Sequence, residues 1–346
     1  MKKISELSKN LKKNFSPKKR DFSKPVASWT EKDIIKGKVV DTLVIIFRTR
    51  GCTWAYKSGC SMCGYFNDSA WEKVTDKDFF SQYKIAMDKY KDQRFVKIFN
   101  SGSFLDETEI SKNVRNKILK DLSKKVEKIS FETRPEYVTE KNIFEIKDIL
   151  KDTIIEIGIG LETFDDSIRK NIINKGYSFK DFKKAADILK KHDIRLKTYV
   201  LIKPPFLTEK ESIDDAINTV KKIKDFSDVI SFNPCNVQKN TVVEYFWKKN
   251  MYRPPYLFSV VEILKESKKI VDDNVRLKCD VAGGGSIRGA HNCRRCDRPF
   301  LKKISDFSIN QNIKVFDGLD CECREEWLDQ LDMEDFGFGS LVGMYR

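Results

Sequence analysis

Histidine is nearly missing from this chain. Only His192 and His291 occur in 346 residues, so acid–base chemistry driven by imidazole is set aside as the main mechanism. No run of about 18 apolar residues is present, which excludes a membrane-spanning helix. The N-terminus has no apolar core of the kind a secretory signal needs. The expected setting is therefore a reducing, cytoplasmic one, without membrane attachment. There, cysteines at metal spacings read as ligands rather than disulfides.

What the chain does have is charge and grouped cysteine. A hydrophobic content of 40% and 34% charged residues describe a soluble globular protein, long enough for one large core and a small second unit. The net charge is +14 and unevenly spread. Residues 1–24 carry nine Lys/Arg against Glu6 and Asp21, whereas residues 317–335 carry nine Asp/Glu against Arg324. A basic body suits a polyanion, and tRNA or another RNA is the natural candidate. The alternative is a lysine-rich solvated surface, since Lys far outnumbers Arg. The acidic tail reads as docking on a basic face of its own chain or a partner, or as a solubilising segment.

Three of the nine cysteines, Cys52, Cys60 and Cys63, lie in C-x7-C-x2-C spacing directly after an apolar run, Thr42 to Phe47. Three thiolates leave a four-iron cluster one ligand short, so that one iron is open to a substrate or cofactor. A structural zinc wants a fourth ligand close by, and only His192 lies between Cys63 and Cys235. A second group follows a triple glycine, Gly283 to Gly285, whose spacing marks a turn rather than a phosphate loop. His291, Cys293, Cys296, Cys321, Cys323 and Cys279 compete there for a metal. C-x2-C followed by C-x-C favours Cys293, Cys296, Cys321 and Cys323 as ligands to zinc, with an auxiliary iron–sulfur cluster as the other reading. Arg294, Arg295, Arg298, Lys302 and Lys303 surround the group and suit an RNA-binding knuckle. His192 ends a helical pattern and reads as a surface residue.

Apolar segments at 39–47, 95–99, 126–131, 153–161, 194–202 and 228–232 predict strands. Helical spacing covers 76–91, 107–125, 139–151, 165–173, 178–191 and 209–224. Strands alternating with helices predict right-handed βαβ units around a parallel sheet. Polar motifs follow most strands, and in a parallel barrel those loops share one mouth. The expected organisation is α/β: a basic flexible arm at 1–25, a partial (β/α)6 TIM-like barrel at 26–250, and a small C-terminal metal-binding extension with an acidic tail at 251–346. Past Tyr252 the βα rhythm fades.

A three-cysteine loop after the first strand of about six βα units resembles the radical S-adenosylmethionine (SAM) superfamily, although the usual first gap there is C-x3-C. The stretches at 101–106 (Ser-Gly-Ser-Phe-Leu-Asp), 132–136 (Glu-Thr-Arg-Pro-Glu) and 174–176 (Asn-Lys-Gly) resemble the Elongator catalytic-subunit branch. The block at 203–209, Asn233-Pro234 with Asn236-Val237-Gln238, and 252–255 resembles the archaeosine-forming radical SAM enzymes, over about residues 25–325. The resemblance implies a 4Fe-4S cluster on Cys52, Cys60 and Cys63, with SAM on the open iron. Reductive cleavage of SAM there gives a 5′-deoxyadenosyl radical. It further implies that Gly102 and Ser103 approach the SAM amino group and that Lys175 faces its carboxylate. Glu132 and Glu162 then bind ribose hydroxyls or the methionine amine, and Arg134 contacts a phosphate or substrate carboxylate. Lys203, Asn233 and Gln238 line the same mouth.

The substrate implied is tRNA carrying a lysine-adducted 7-deazaguanine in its D-loop, made by a lysine-transferring alpha subunit. The lysine C–N bond is cleaved to give archaeosine. A non-catalytic RNA-binding zinc protein, or a radical SAM enzyme for another tRNA base, is the competing reading. An Elongator-type acyltransferase is disfavoured, because no room remains after the barrel for that domain.

Overall fold

Eight strands stand side by side in strict sequence order in the computed structural model, which describes residues 2–13, 15 and 20–336. They are β1 (Ala27–Ile35), β2 (Lys38–Ile46), β3 (Phe95–Phe99), β4 (Lys128–Glu132), β5 (Ile154–Glu162), β6 (Arg195–Ile202), β7 (Val229–Pro234) and β8 (Arg276–Cys279). From β2 to β8 every neighbour is parallel, and only β1 runs antiparallel, against β2. The six expected strands are β2 to β7. Helices cover the outer face, so the outward residues of these strands are apolar and fully buried, as at Leu43, Ile98, Ile129, Ile157 and Val200. Five of the covering helices, from Asp76–Met87 to Glu209–Ile223, begin on Ser or Thr. Each of those hydroxyls accepts from the amide three residues on, and three of the five complete a capping box.

Two strands escape the sequence pattern. β1 ends in three consecutive charged residues and two isoleucines, Glu31-Lys32-Asp33-Ile34-Ile35, and turns into β2 through Lys36 and Gly37, both at positive φ. β8 is four residues long and carries Arg276 and Lys278. The helix Leu257–Ile270 and β8 therefore continue the βα rhythm past Tyr252, and the expected boundary at 251 falls inside the barrel.

Both charged edge strands are explained by the lumen. Asp33 on β1 pairs with Lys97 on β3 and with Arg276 and Lys278 on β8, so the curled sheet is tied end to end by charge at its base. Burial pushes the Asp33 carboxyl up, but the Lys278, Lys97 and Arg276 charges outweigh it and hold the carboxyl far below the usual range. Lys128 pairs with Glu156 at 2.5 Å. Burial again opposes ionisation there, and Lys128 and Lys197 win, bringing Glu156 to about 2.

The basic N-terminal segment, expected as a flexible arm, contains a helix, Lys2–Lys13, laid on the cysteine loop. Ser8 donates to the Ser58 carbonyl at 2.9 Å, and Lys12 donates to the same oxygen at 2.8 Å. The acidic tail forms the helix Arg324–Phe336. Glu334 accepts from the amides of Glu209 and Lys210, capping the start of Glu209–Ile223. A helix N-terminus, rather than a basic surface, is thus one partner of the tail.

One buried acid makes stability pH-dependent. Asp215 accepts from the Thr163 hydroxyl at 2.6 Å and anchors the loop after β5, while its second oxygen has no partner among the described residues. Burial pushes this carboxyl up to about 7. An acid with a raised folded-state pKa contributes stability that is complete below its unfolded pKa and lost as pH rises through 7. Thermal melts should therefore fall from pH 5 to pH 8, and Asp215→Asn should remove a slope worth on the order of 2 kcal/mol. An Asn variant with the wild-type pH slope would show that another group sets it.

Candidate cofactor and metal sites

The cysteine loop leaves β2 at the C-terminal, or mouth, end of the parallel strands. Its long first gap is not slack. Residues Thr53–Lys57 form a helical turn that starts directly after Cys52. The Trp54 indole donates to the Asn174 carbonyl at 2.7 Å, and Asn174 donates back to the Ser58 hydroxyl and the Gly59 carbonyl. Gly176, at φ +82°, lies under the Trp54 ring, where an added Cβ would come within 2.7 Å. The 174–176 motif and the seven-residue gap are therefore two halves of one clamp. Trp54 also meets the Arg134 guanidinium at 5.6 Å, and Tyr56 packs on Trp71 at 4.7 Å with its hydroxyl on the Arg50 carbonyl. Both aromatics are committed to holding the loop.

Other strand ends close around it. Gly102 presses on Cys52: a Cβ there would lie 2.7 Å from the Cys52 Cα. Ser103 is turned inward. Its amide donates to Glu109 at 2.7 Å, and its hydroxyl accepts from the Arg134 amide at 3.0 Å. Its side chain and amide are thus spent on bracing the loop, and of the pair Gly102 alone keeps a surface toward the cysteines. Glu109, which sequence reading missed, sits fully buried beneath them, and burial raises its carboxyl to about 7. Gln238, from the loop after β7, accepts from the Gly64 amide just past Cys63.

Lys175 and Glu162 form a buried ion pair at the mouth. Gly160 makes room for it, since a Cβ there would lie 2.7 Å from Lys175 Nζ. A register shift between Gly160 and Glu162, with Glu162 at φ +73°, re-aims this carboxylate at the strand end. Burial pulls the Lys175 ammonium down, but Glu162 outweighs it and keeps the group charged. Arg134 bonds Glu136 at 2.6 Å and the Lys175 carbonyl at 3.1 Å. Lys203 is spoken for elsewhere: it pairs at 2.5 Å with Glu209, which also takes the Tyr256 amide and the Ser259 hydroxyl. This lysine pins the barrel to the C-terminal segment instead of facing the mouth. Asn233 lies on β7 opposite Leu201. Glu132 ends β4, and its carboxyl is raised by burial against the Tyr199 hydrogen bond.

Beyond β8, the structure brings Cys293, Cys296, Cys321 and Cys323 together, with all four sulfurs within 4.8 Å of one another. Neighbouring Sγ atoms are 3.6, 3.8 and 3.8 Å apart. His291 does not join them; its Nδ1 is on the Gly289 carbonyl at 2.7 Å. Cys279 is buried in the main core. Burial pushes the Cys293 thiol up, yet the amides of Cys296 and Arg295 and the neighbouring thiols bring it down to about 6.

The sequence profile of the radical SAM superfamily matches residues 46–226, which begins at the end of β2 and takes in the cysteine loop and the Lys175 motif. The chain belongs to the radical SAM superfamily. It is similar to the archaeosine synthase subunit beta of Methanosarcina acetivorans, at 41% identity over 98% of both chains. It is also similar to the archaeosine synthase subunit beta of Thermococcus kodakarensis, at 38% over 86% of this chain and 94% of that one. Among solved structures, an N-terminally truncated archaeal Elp3 from Methanocaldococcus infernus aligns with a TM-score of 0.49 and 16% identity. That alignment covers 81% of this chain and 63% of Elp3.

Membership in the radical SAM superfamily implies SAM and a 4Fe-4S cluster, and the loop fits them. Burial raises the Cys52 thiol, and it raises the Cys63 thiol to about 12, so thiolates here need a cation beside them. Only the four C-terminal cysteines, among the described residues, meet as ligands to one ion would. The three loop thiols do not, as suits a cubane that offers each of them a separate iron. No described helix of this radical SAM protein is long and apolar enough to cross a membrane.

Proposed function

We propose that this chain is the radical-forming subunit of an archaeosine-producing system acting on tRNA. The observation that carries the reading is the match, along 98% of both chains, to an archaeosine synthase subunit beta. In the finer reading the lysine C–N bond of a lysine-adducted 7-deazaguanine in the D-loop is cleaved. An alpha subunit that transfers the lysine is the expected partner.

In this reading Cys52, Cys60 and Cys63 hold the 4Fe-4S cluster. Bound there, cluster and SAM would, on receiving one electron from an external reductant, supply a carbon radical able to take one hydrogen atom. The chain's own residues bind and shield. Gly102 permits close approach beside Cys52. Lys175 keeps free donors for a carboxylate while Glu162 holds it charged, and Glu162 keeps an oxygen for hydroxyls. Trp54, clamped on Gly176, excludes water from the loop. A hydrogen next to the adduct nitrogen is the sensible target, since the nitrogen lone pair stabilises the carbon radical left behind.

For the C-terminal cysteines we infer zinc. A Zn–S bond of about 2.3 Å gives a tetrahedron with S–S edges of about 3.8 Å; three of the sulfur pairs here stand 3.6, 3.8 and 3.8 Å apart, and all four sulfurs lie within 4.8 Å of one another. A four-iron cluster would spread its thiolates further.

Mass spectrometry of tRNA from a deletion strain tests the reading. Archaeosine should disappear and the lysine-adducted base should accumulate. Unchanged archaeosine would sink the proposal.

A further inference from the structure

The helix Lys2–Lys13 grips the cysteine loop with a single stripe. Ser5, Ser8 and Lys12 are three and four residues apart, so they share one face. Ser5 and Ser58 share a hydrogen bond between their hydroxyls at 2.7 Å. The Ser8 hydroxyl reaches the Ser58 and Gly59 carbonyls at 2.9 and 3.3 Å. The Lys12 ammonium donates to the Ala55 and Ser58 carbonyls at 3.3 and 2.8 Å and stands over the Phe66 ring at 4.9 Å. Gly59, directly before Cys60, makes room for it: its φ is +83°, and a Cβ there would fall on Lys12 Nζ. Phe15 then packs on Phe66 and Trp71, at 5.5 and 5.8 Å, and closes this segment over the loop.

Three cations stand near the loop thiols: Lys12, Arg134 and Lys175. Arg134 has a carboxylate partner in Glu136, and Lys175 has one in Glu162. Lys12 has no carboxylate partner among the described residues; its bonds go to carbonyls. Burial pulls its ammonium down, and the charges that pull it back up are those of Cys63, Cys60 and Cys52. A neutral donor would satisfy the same carbonyls, as Ser8 does at Ser58. What a lysine adds here is a unit of positive charge. Two hydrogen bonds fix it in place, and it is half-buried, so solvent screens it less than a surface charge. A cluster on three thiolates becomes more negative with each electron, and the potential of an iron–sulfur cluster follows the net charge around it. A fixed ammonium beside the loop therefore favours the reduced state.

We propose that Lys12 is an electrostatic positioning residue for the cluster: its fixed positive charge raises the reduction potential of the site formed by Cys52, Cys60 and Cys63, so that a one-electron reductant of given strength loads it more fully. Lys12 touches neither SAM nor substrate in this assignment and transfers no proton. The electron comes from the external reductant that SAM cleavage already requires. This rests on the reading that the three loop thiols hold the cluster, and it is independent of which tRNA base is modified. It also gives the basic N-terminal segment a task beyond attracting a polyanion.

The test uses the full-length, anaerobically reconstituted protein without SAM or tRNA. Redox titration followed by electron paramagnetic resonance reads the midpoint potential, and metal analysis reads the iron, for the wild type, Lys12→Gln, Ser8→Ala and Cys60→Ala. Lys12→Gln should keep the wild-type iron, which also shows that it folds, and its potential should move down. At the wild-type midpoint its ratio of reduced to oxidised cluster should drop at least tenfold, a shift of about 59 mV for a one-electron couple. Ser8→Ala removes a hydrogen bond to the same Ser58 carbonyl and leaves the charge, so its potential should stay at the wild-type value. An unchanged potential in Lys12→Gln would overturn the assignment. So would an equal shift in Ser8→Ala, which would make docking of the helix the cause rather than charge. Loss of iron from Lys12→Gln would overturn it too, since Lys12 would then hold the loop instead of tuning it. Cys60→Ala separates this inference from the reading beneath it. A reducible cluster signal that survives in Cys60→Ala removes the reading and the inference together. A signal lost in Cys60→Ala but titrating at the wild-type potential in Lys12→Gln removes the inference alone.

Discussion

Cys60→Ala should abolish 5′-deoxyadenosine formation from SAM and reductant, by roughly three orders of magnitude or more, the scale on which loss of an essential group shows. Three loop thiols are the whole protein ligand set of the cluster in this reading. With one removed, the cluster loses its hold on a second iron, and reconstituted protein should lose its iron and its visible absorption together. The fold should survive. Cys60 lies outside the main apolar core, which is built from the outward faces of the strands and the helices over them. Cys279→Ala is the control, since that thiol sits in the core away from the loop and should not change the iron content. Iron and 5′-deoxyadenosine at wild-type levels in Cys60→Ala would show that the cluster is not held here.

The second large effect is expected at the other end of the chain. Cys296→Ser should cost one equivalent of zinc and release the tail. Cys293 and Cys296 lie just before the helix Asp297–Asn310, and Cys321 and Cys323 just before Arg324–Phe336. The four sulfurs are thus the joint between two helices connected by few other contacts. Beyond that joint the tail is held by Trp327, which donates to Ser259 at 2.8 Å and stacks on Phe258 at 5.5 Å, and by the Glu334 cap. Zinc binding in isolated fingers is worth about 10–16 kcal/mol. Here part of the tail's hold is independent of metal, so a loss of about 3–5 kcal/mol is expected. Metal analysis should show zinc falling from one equivalent to near zero, and limited proteolysis should open the chain between residues 311 and 323. Iron in place of zinc in the wild type would turn the site into an auxiliary cluster. Equal protease resistance with and without the metal would show that it holds nothing.

The two cysteine groups were legible because metal ligation needs a few residue types at short spacings. The six central strands were legible for a related reason: a parallel sheet covered by helices needs unbroken apolar runs. β1 and β8 were not legible, because their charged side chains face a lumen that exists only once the sheet has curled. Asp33 and Arg276 are 243 residues apart, and neither has a reason to be in a strand until the other arrives. Lys203 misled for the same reason. After Ile202 it continues a strand toward the mouth, and only the tertiary structure supplies Glu209, Tyr256 and Ser259 to take it away.

The long first gap of the cysteine loop divides along the same line. By itself the sequence determined that three thiols follow the first parallel strand with no fourth ligand nearby, because spacing and residue type are local. It also determined the alternating βα pattern, because periodicity is local. Only the tertiary structure decided what Trp54 does, since its partners Asn174 and Gly176 lie some 120 residues away. Only it decided that Lys197 and Glu132 share a level across Gly158, because which side chains meet inside a barrel is set by strand register. Register is fixed by the packing of the whole sheet and is written in no single segment.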